Sequence, residues 1–249
     1  MMLWLRSAAF LAFGFLSILV FAVFALLVFW APQSFLWNIV VTYCRLALWA
    51  GDFFCGMKVV VEGKENLPDE PSVIMIKHTT TLETYGHVPM FPRTAWVLKR
   101  EIIWMPIFGW VIGLLFQPIA IRRSARRTAV RQVIAQGKEK LRKGIWVTIF
   151  PEGTRMPPGE TRRYGVSGAA LAHEANAPIV PVAHNAGDVW PRLSFVKQPG
   201  TVRFVIGPPI SAQGREPRET NLVVQEWIEN KMREISSAYD APAAGGRDS

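Results

Sequence analysis

From residue 7 to residue 44 this chain carries no charged side chain, and that alone narrows what its 249 residues can fold into. Residues 8–31 exceed the roughly 20 apolar residues that cross a hydrocarbon core. A second apolar stretch, 35–50, follows Pro32-Gln33-Ser34 and carries Arg45. Residues 1–55 therefore read as a membrane anchor, either one helix that spans the bilayer or a helical hairpin that dips into one leaflet. A cleaved signal peptide fits less well, because 8–31 is longer than the usual apolar region of about 7–15 residues and a further apolar run follows at once. Arg6 and Arg45 against Asp52 give the anchor +1, so +8 of the formal net charge of +9 falls on the rest. Such a basic body suits anionic headgroups and predicts a cytoplasmic placement.

Beyond the anchor, short apolar runs alternate with helix-period segments. Strands are expected at 58–62, 72–77, 95–99, 118–121, 145–150, 179–183 and 201–206, and helices at 81–88, 124–143, 166–176 and 220–236. This order predicts an α/β fold in which helices flank a mixed central sheet, as one domain over 56–236. The Ala- and Gly-rich end reads as a mobile tail, 237–249.

Two segments at predicted strand ends carry the chemistry. In the first, His78 is followed five residues later by Glu83. On a continuous helix they would stand roughly 140° apart, so a turn must intervene before the acid can reach the imidazole. A helix beginning near Thr80 allows that, leaving one ring nitrogen to accept a proton. Thr80-Thr81-Leu82-Glu83 also fits an ordinary capping box, with Glu83 reaching back to the Thr80 N–H. In the second segment, Phe150-Pro151-Glu152-Gly153-Thr154-Arg155, Pro ends a strand and Gly frees the backbone to turn. Arg155 could bind phosphate through its planar fork, and Glu152 could orient that Arg or a substrate hydroxyl. A plain surface turn is the alternative.

Together, in this order, the two segments resemble the signature of the glycerolipid acyltransferases, in the bacterial 1-acylglycerol-3-phosphate branch. Glu83 stands where that family usually has Asp. Pro118-Ile119-Ala120-Ile121-Arg122-Arg123 matches a further block with Arg122 in place of an acid, and Ile179-Val180-Pro181-Val182 matches a late apolar block. The resemblance covers roughly 56–233. It implies His78 as general base, Glu83 as its partner, and Arg123, Glu152, Gly153, Thr154 and Arg155 at the acceptor phosphate. It also implies acyl transfer from acyl-CoA or acyl-carrier protein to lysophosphatidate at the bacterial inner membrane, with membrane lipids as surroundings and no cofactor. Another lysolipid, such as a lyso-ornithine lipid, is the neighbouring enzymatic reading, and a non-catalytic membrane-surface module is the reading from another class.

Other patterns point elsewhere only weakly. Arg123, Arg127 and Arg131 share a helical face, while Val130, Val133, Ile134 and Leu141 supply apolar positions, which reads as an amphipathic helix with a solvated basic face. Contact with lipid or an acidic carrier would be the sharper reading. Neither a zinc finger nor an aromatic RNA-binding signature accompanies the charge, so nucleic acid is not expected. Gly165-Val166-Ser167-Gly168-Ala169 imitates a nucleophile elbow, but its second Gly comes one position early. Cys44 and Cys55 make no disulfide framework, and His87, His173 and His184 lack metal-ligand spacing.

Overall fold

A computed structural model describes residues 1–106, 108–122 and 126–239. Seven strands, β1 Met57–Glu62, β2 Val73–Ile76, β3 Thr94–Lys99, β4 Ile119–Ile121, β5 Trp146–Ile149, β6 Ile179–His184 and β7 Gly200–Ile206, form one sheet in the order β1-β7-β6-β2-β5-β3-β4. Pairings are parallel except between β6 and β7. The mixed sheet agrees with the sequence reading, and each expected strand is present within a residue or so of its expected limits.

The helices are α1 Met2–Leu27, α2 Gln33–Cys55, α3 Leu82–Gly86, α4 Arg100–Ile103, α5 Phe108–Phe116, α6 Arg126–Arg142, α7 Ser167–Ala175, α8 Ala186–Val189 and α9 Pro217–Ile235. Of these, α4, α5 and α8 were not anticipated. Two are single turns, and α5 is apolar on nearly every side, so neither length nor amphipathic period announces them.

Strand alternation divides the core into two layers. Val73 and Met75 of β2 with Val147 and Ile149 of β5 meet α6, α7 and α9 through Val133, Leu171 and Val224. Ile74, Ile76 and Trp146 face the other way, toward Leu82 of α3, Phe10 of α1, and Ala50 and Cys55 of α2. Gly168 is explained here. A Cβ on it would lie 2.8 Å from Met75 Sδ, so the false elbow exists to let α7 approach β2.

The boundary drawn at residue 55 is not a physical seam. A third apolar cluster joins Leu36, Trp37, Val40 and Cys44 of α2 to Val88 and to Leu115 of α5. Ser7 Oγ accepts from the Lys197 amide at 2.9 Å, and Phe10 meets Trp190 edge-on. Only α1 is both long and apolar enough to cross a membrane, among the described residues. Its outward face bears Phe15, Leu16, Val20 and Leu27, all exposed. At the other end, Ser237–Tyr239 form a 3-10 turn fastened to the body, with the Ser237 amide on Asp188 at 3.0 Å and Tyr239 Oη on Glu229 at 2.9 Å. These three residues therefore leave the expected tail, whose remainder, 240–249, lies outside the described residues.

Candidate active site

β2 is wholly buried, so its continuation delivers Lys77 and His78 to the end of the sheet with little freedom. The peptide between them is held at both polar ends. His184 Nε2 donates to Lys77 O at 2.8 Å, and the His78 N–H donates to Glu152 Oε2 at 2.8 Å. The His78 carbonyl in turn accepts from the Met156 amide at 2.7 Å. The imidazole lies on Phe150, ring centroids 4.1 Å apart.

The expected turn between His78 and Glu83 is present, and α3 begins at Leu82 with Thr81 as its N-cap rather than Thr80. Glu83 uses both oxygens. Oε1 lies 2.7 Å from His78 Nδ1 and Oε2 accepts from the Thr80 amide at 2.7 Å. The capping and imidazole-partner readings are therefore not rivals, because one carboxylate does both. With Nδ1 donating to that carboxylate, Nε2 is the ring atom placed to take a proton. Arg155 Nε donates to the carbonyl of the same Thr80 at 3.0 Å, and Arg192 donates to the Arg155 carbonyl at 3.1 Å. One main-chain residue thus links the imidazole's acid to the guanidinium.

Gly153 turns the second segment at φ +69°, a conformation that favours glycine, while Thr154 is exposed and Arg155 half-buried. Glu152 departs from expectation. It is 4% exposed and turns inward, so its partners are the His78 amide and Lys77 rather than Arg155. Lys77 Nζ stands 2.7 Å from Glu152 Oε1, 2.9 Å from Glu229 Oε1 and 3.0 Å from the Glu160 carbonyl, so its ammonium is shared among three acceptors. Tyr164 and Tyr239 hydroxyls complete Glu229 at 2.7 and 2.9 Å. Arg123 lies outside the described residues.

A family model described as Acyltransferase matches residues 58–185. Over 235 residues the chain is 43% identical to the 1-acyl-sn-glycerol-3-phosphate acyltransferase of Pseudomonas aeruginosa, covering 93% of this chain and 89% of that one. The chain belongs to the acyltransferase family. Mouse 1-acyl-sn-glycerol-3-phosphate acyltransferase alpha is 26% identical over 211 residues, 82% of this acyltransferase and 72% of that one. The fold is also that of the 1-acyl-sn-glycerophosphate acyltransferase of Thermotoga maritima, with a TM-score of 0.76 over 92% of this chain and 96% of that one at 21% identity.

Sequence reasoning passed over Lys77, Tyr164 and Glu229 of this acyltransferase. One signal was available: a lysine that continues an apolar strand without a break has to be paired when buried. Its partner on α9 could not be found from spacing. Of the remaining histidines, His173 is exposed, whereas His87 and His184 are fully buried behind the site. His87 Nδ1 meets the Glu83 carbonyl at 2.6 Å, and burial lowers its pKa to about 4.

Burial dominates the carboxyls as well. Glu83 is pushed up to about 7 by desolvation, against the opposing pull of His184, the Thr80 amide and Arg155. Glu152 is likewise raised to about 7 by burial, with Lys77 opposing. In the unfolded chain both would release their protons near the ordinary value of about 4.3. Between that pH and about 7 the folded protein therefore holds protons that the unfolded chain has lost. These two groups make stability greatest below that window and reduce it as pH rises through it. Thermal unfolding from pH 5 to pH 7.5 is expected to show the decline, and Glu152→Gln is expected to flatten it; an unchanged slope in the variant would count against this assignment.

Proposed function

We propose that this acyltransferase moves a fatty acyl group from acyl-CoA or acyl-carrier protein to the sn-2 hydroxyl of 1-acyl-sn-glycerol 3-phosphate, forming phosphatidate. The observation that carries the reading is the Thr80 main chain, whose N–H meets the carboxylate behind His78 while its carbonyl meets Arg155. A base and an anion-binding group are thereby kept in fixed relation, as an acceptor with its hydroxyl near a phosphate requires. His78 Nε2 takes the hydroxyl proton as the oxygen attacks the thioester carbonyl, and Glu83 stabilises the imidazolium. The tetrahedral intermediate then collapses, and the imidazolium returns the proton to the departing thiolate. An acyl-enzyme is not needed.

Arg155 and Arg123 hold the acceptor phosphate in this proposal, Arg123 on the strength of the sequence alone. Gly153 and Thr154 shape the turn that presents Arg155, and Glu152 acts from behind by holding the His78 amide. The apolar outer face of α1 lies in the headgroup boundary of the inner membrane, with the catalytic body on the cytoplasmic side. In-plane seating agrees with the contacts α1 makes to the body, from Ser7 and Phe10 to the cluster around Ala25.

Arg155→Ala is expected to raise the KM for lysophosphatidate by about 10-fold or more, since a charge-assisted contact to phosphate contributes roughly 1.5–3 kcal/mol. Arg122→Ala is expected to cost less, because Arg122 is an exposed residue whose amide, rather than its side chain, is fastened, to Gln132 at 3.1 Å. Kinetics on lysophosphatidate and on a phosphate-free lysolipid decide the matter. Equal losses on both acceptors would remove Arg155 from the phosphate and favour the other lysolipid substrates.

A further inference from the structure

We infer that Glu229, on the last long helix, is a positioning residue for His78, acting through Lys77 and Glu152. The inference rests on the reading of His78 as general base. Glu229 is 4% exposed and receives Lys77 and Tyr164 on Oε1 and Tyr239 on Oε2. Lys77 has no exposed surface. Its ammonium is shared between Glu229 and Glu152, and the second oxygen of Glu152 holds the His78 amide.

A single positive charge thus sits between two buried carboxylates. The groups facing it are Glu152 beyond β5, Glu229 on α9, and the hydroxyls of Tyr164 and Tyr239, with the Glu160 carbonyl as an uncharged acceptor. How firmly Lys77 is drawn toward Glu229 decides how Glu152 is left to orient. As long as Glu229 shares the ammonium, Lys77 is held between the two carboxylates, and Glu152 keeps Oε1 on Lys77 and Oε2 on the His78 amide. Without the Glu229 carboxylate, Lys77 is free to turn fully onto Glu152 and draw it away from that amide. The repulsion that Glu229 exerts on the Glu152 charge is lost as well, which favours ionised Glu152 at lower pH. Both changes reach the imidazole through the 77–78 peptide, whose other end His184 holds.

The experiment compares wild type, Glu229→Gln, Glu229→Ala, Lys77→Met, the Glu229→Ala/Lys77→Met pair and exposed Glu226→Gln as the control on the same helix, all purified full-length in detergent. Glu229→Ala is expected to lower kcat about tenfold while KM for lysophosphatidate stays within about twofold, since small misplacements near a base are felt in turnover. Glu229→Gln, which keeps an acceptor, is expected to recover most of the rate yet move the acid limb of the pH profile to lower pH. The double variant is expected to be no worse than Lys77→Met within about twofold, as for residues acting in one chain of contacts. Independent losses that multiply, or an acid limb unmoved in Glu229→Gln, would overturn the inference.

A second readout does not depend on turnover. The His78 imidazole signals in histidine-labelled protein, identified by their absence in His78→Ala, are expected to shift in Glu229→Gln and not in Glu226→Gln. Signals unchanged from pH 5 to pH 8 overturn the positioning role whatever the substrate. Shifted signals in a wild type that transfers nothing to lysophosphatidate would sink the functional reading and leave the positioning role standing. Should Glu229→Ala fail to fold, Glu229→Gln carries both arms.

Discussion

His78→Ala is expected to reduce turnover by at least about 100-fold with the fold retained, the lower range of what a positioned general base contributes. The imidazole is only partly buried, its side chain 16% exposed, and the contacts that fix this residue to its neighbours are largely main-chain ones that alanine preserves. Acyl transfer by purified variant and wild type, with thermal unfolding alongside, makes the check; near-normal transfer by a folded variant would refute the proposed base. Glu83 sharpens the prediction. Glu83→Gln can accept the Thr80 N–H only by turning its N–H₂ to the imidazole, which either breaks the bond to Nδ1 or forces the tautomer that protonates Nε2, and the charge that stabilises imidazolium is gone. Glu83→Asp keeps the charge and both acceptors, and its loss is expected to be much smaller.

Removal of residues 1–55 is expected to abolish folding rather than release a soluble active domain. The sequence reads these residues as a membrane anchor set apart from the domain over 56–236. The structure makes α2 a wall of the core, with Leu36, Trp37, Val40, Cys44, Ala50 and Cys55 all buried. Burying one large apolar side chain contributes about 1.5–3 kcal/mol, while a whole domain retains only about 5–15 kcal/mol. Losing several such contacts, and exposing Val88, Leu82 and Leu115 in return, exceeds that margin. Circular dichroism and thermal unfolding of the truncated protein test this. A cooperative transition near the full-length temperature, with acyl transfer retained in detergent, would show that α2 is dispensable.

The strands were legible because each is a short apolar run closed by turn residues, and burial on both faces of a mixed sheet leaves just that pattern. His78, Glu83 and Arg155 were legible because they follow such runs, where a sheet hands polar side chains to the surface. Glu152 was found but misplaced. Its segment fixes where the residue sits in the chain, not whether it turns outward to Arg155 or inward to Lys77. Lys77, Tyr164 and Glu229 come from a strand, a loop and the last helix, and no local period ties them together.

The division follows from the range of the forces. Alternation, turn chemistry and the uncharged length of residues 7–44 act between near neighbours, so the sequence by itself determined the sheet's elements, the long apolar N-terminal helix and the two segments that flank the site. Which layer covers which face, whether α2 is a tether or a wall, and which carboxylate holds the His78 amide depend on contacts between residues far apart in the chain. The Glu83 carboxylate illustrates both. Its spacing from Thr80 gave the cap, but only packing that buried it beside His78 made the same group an imidazole partner with its pKa raised to about 7.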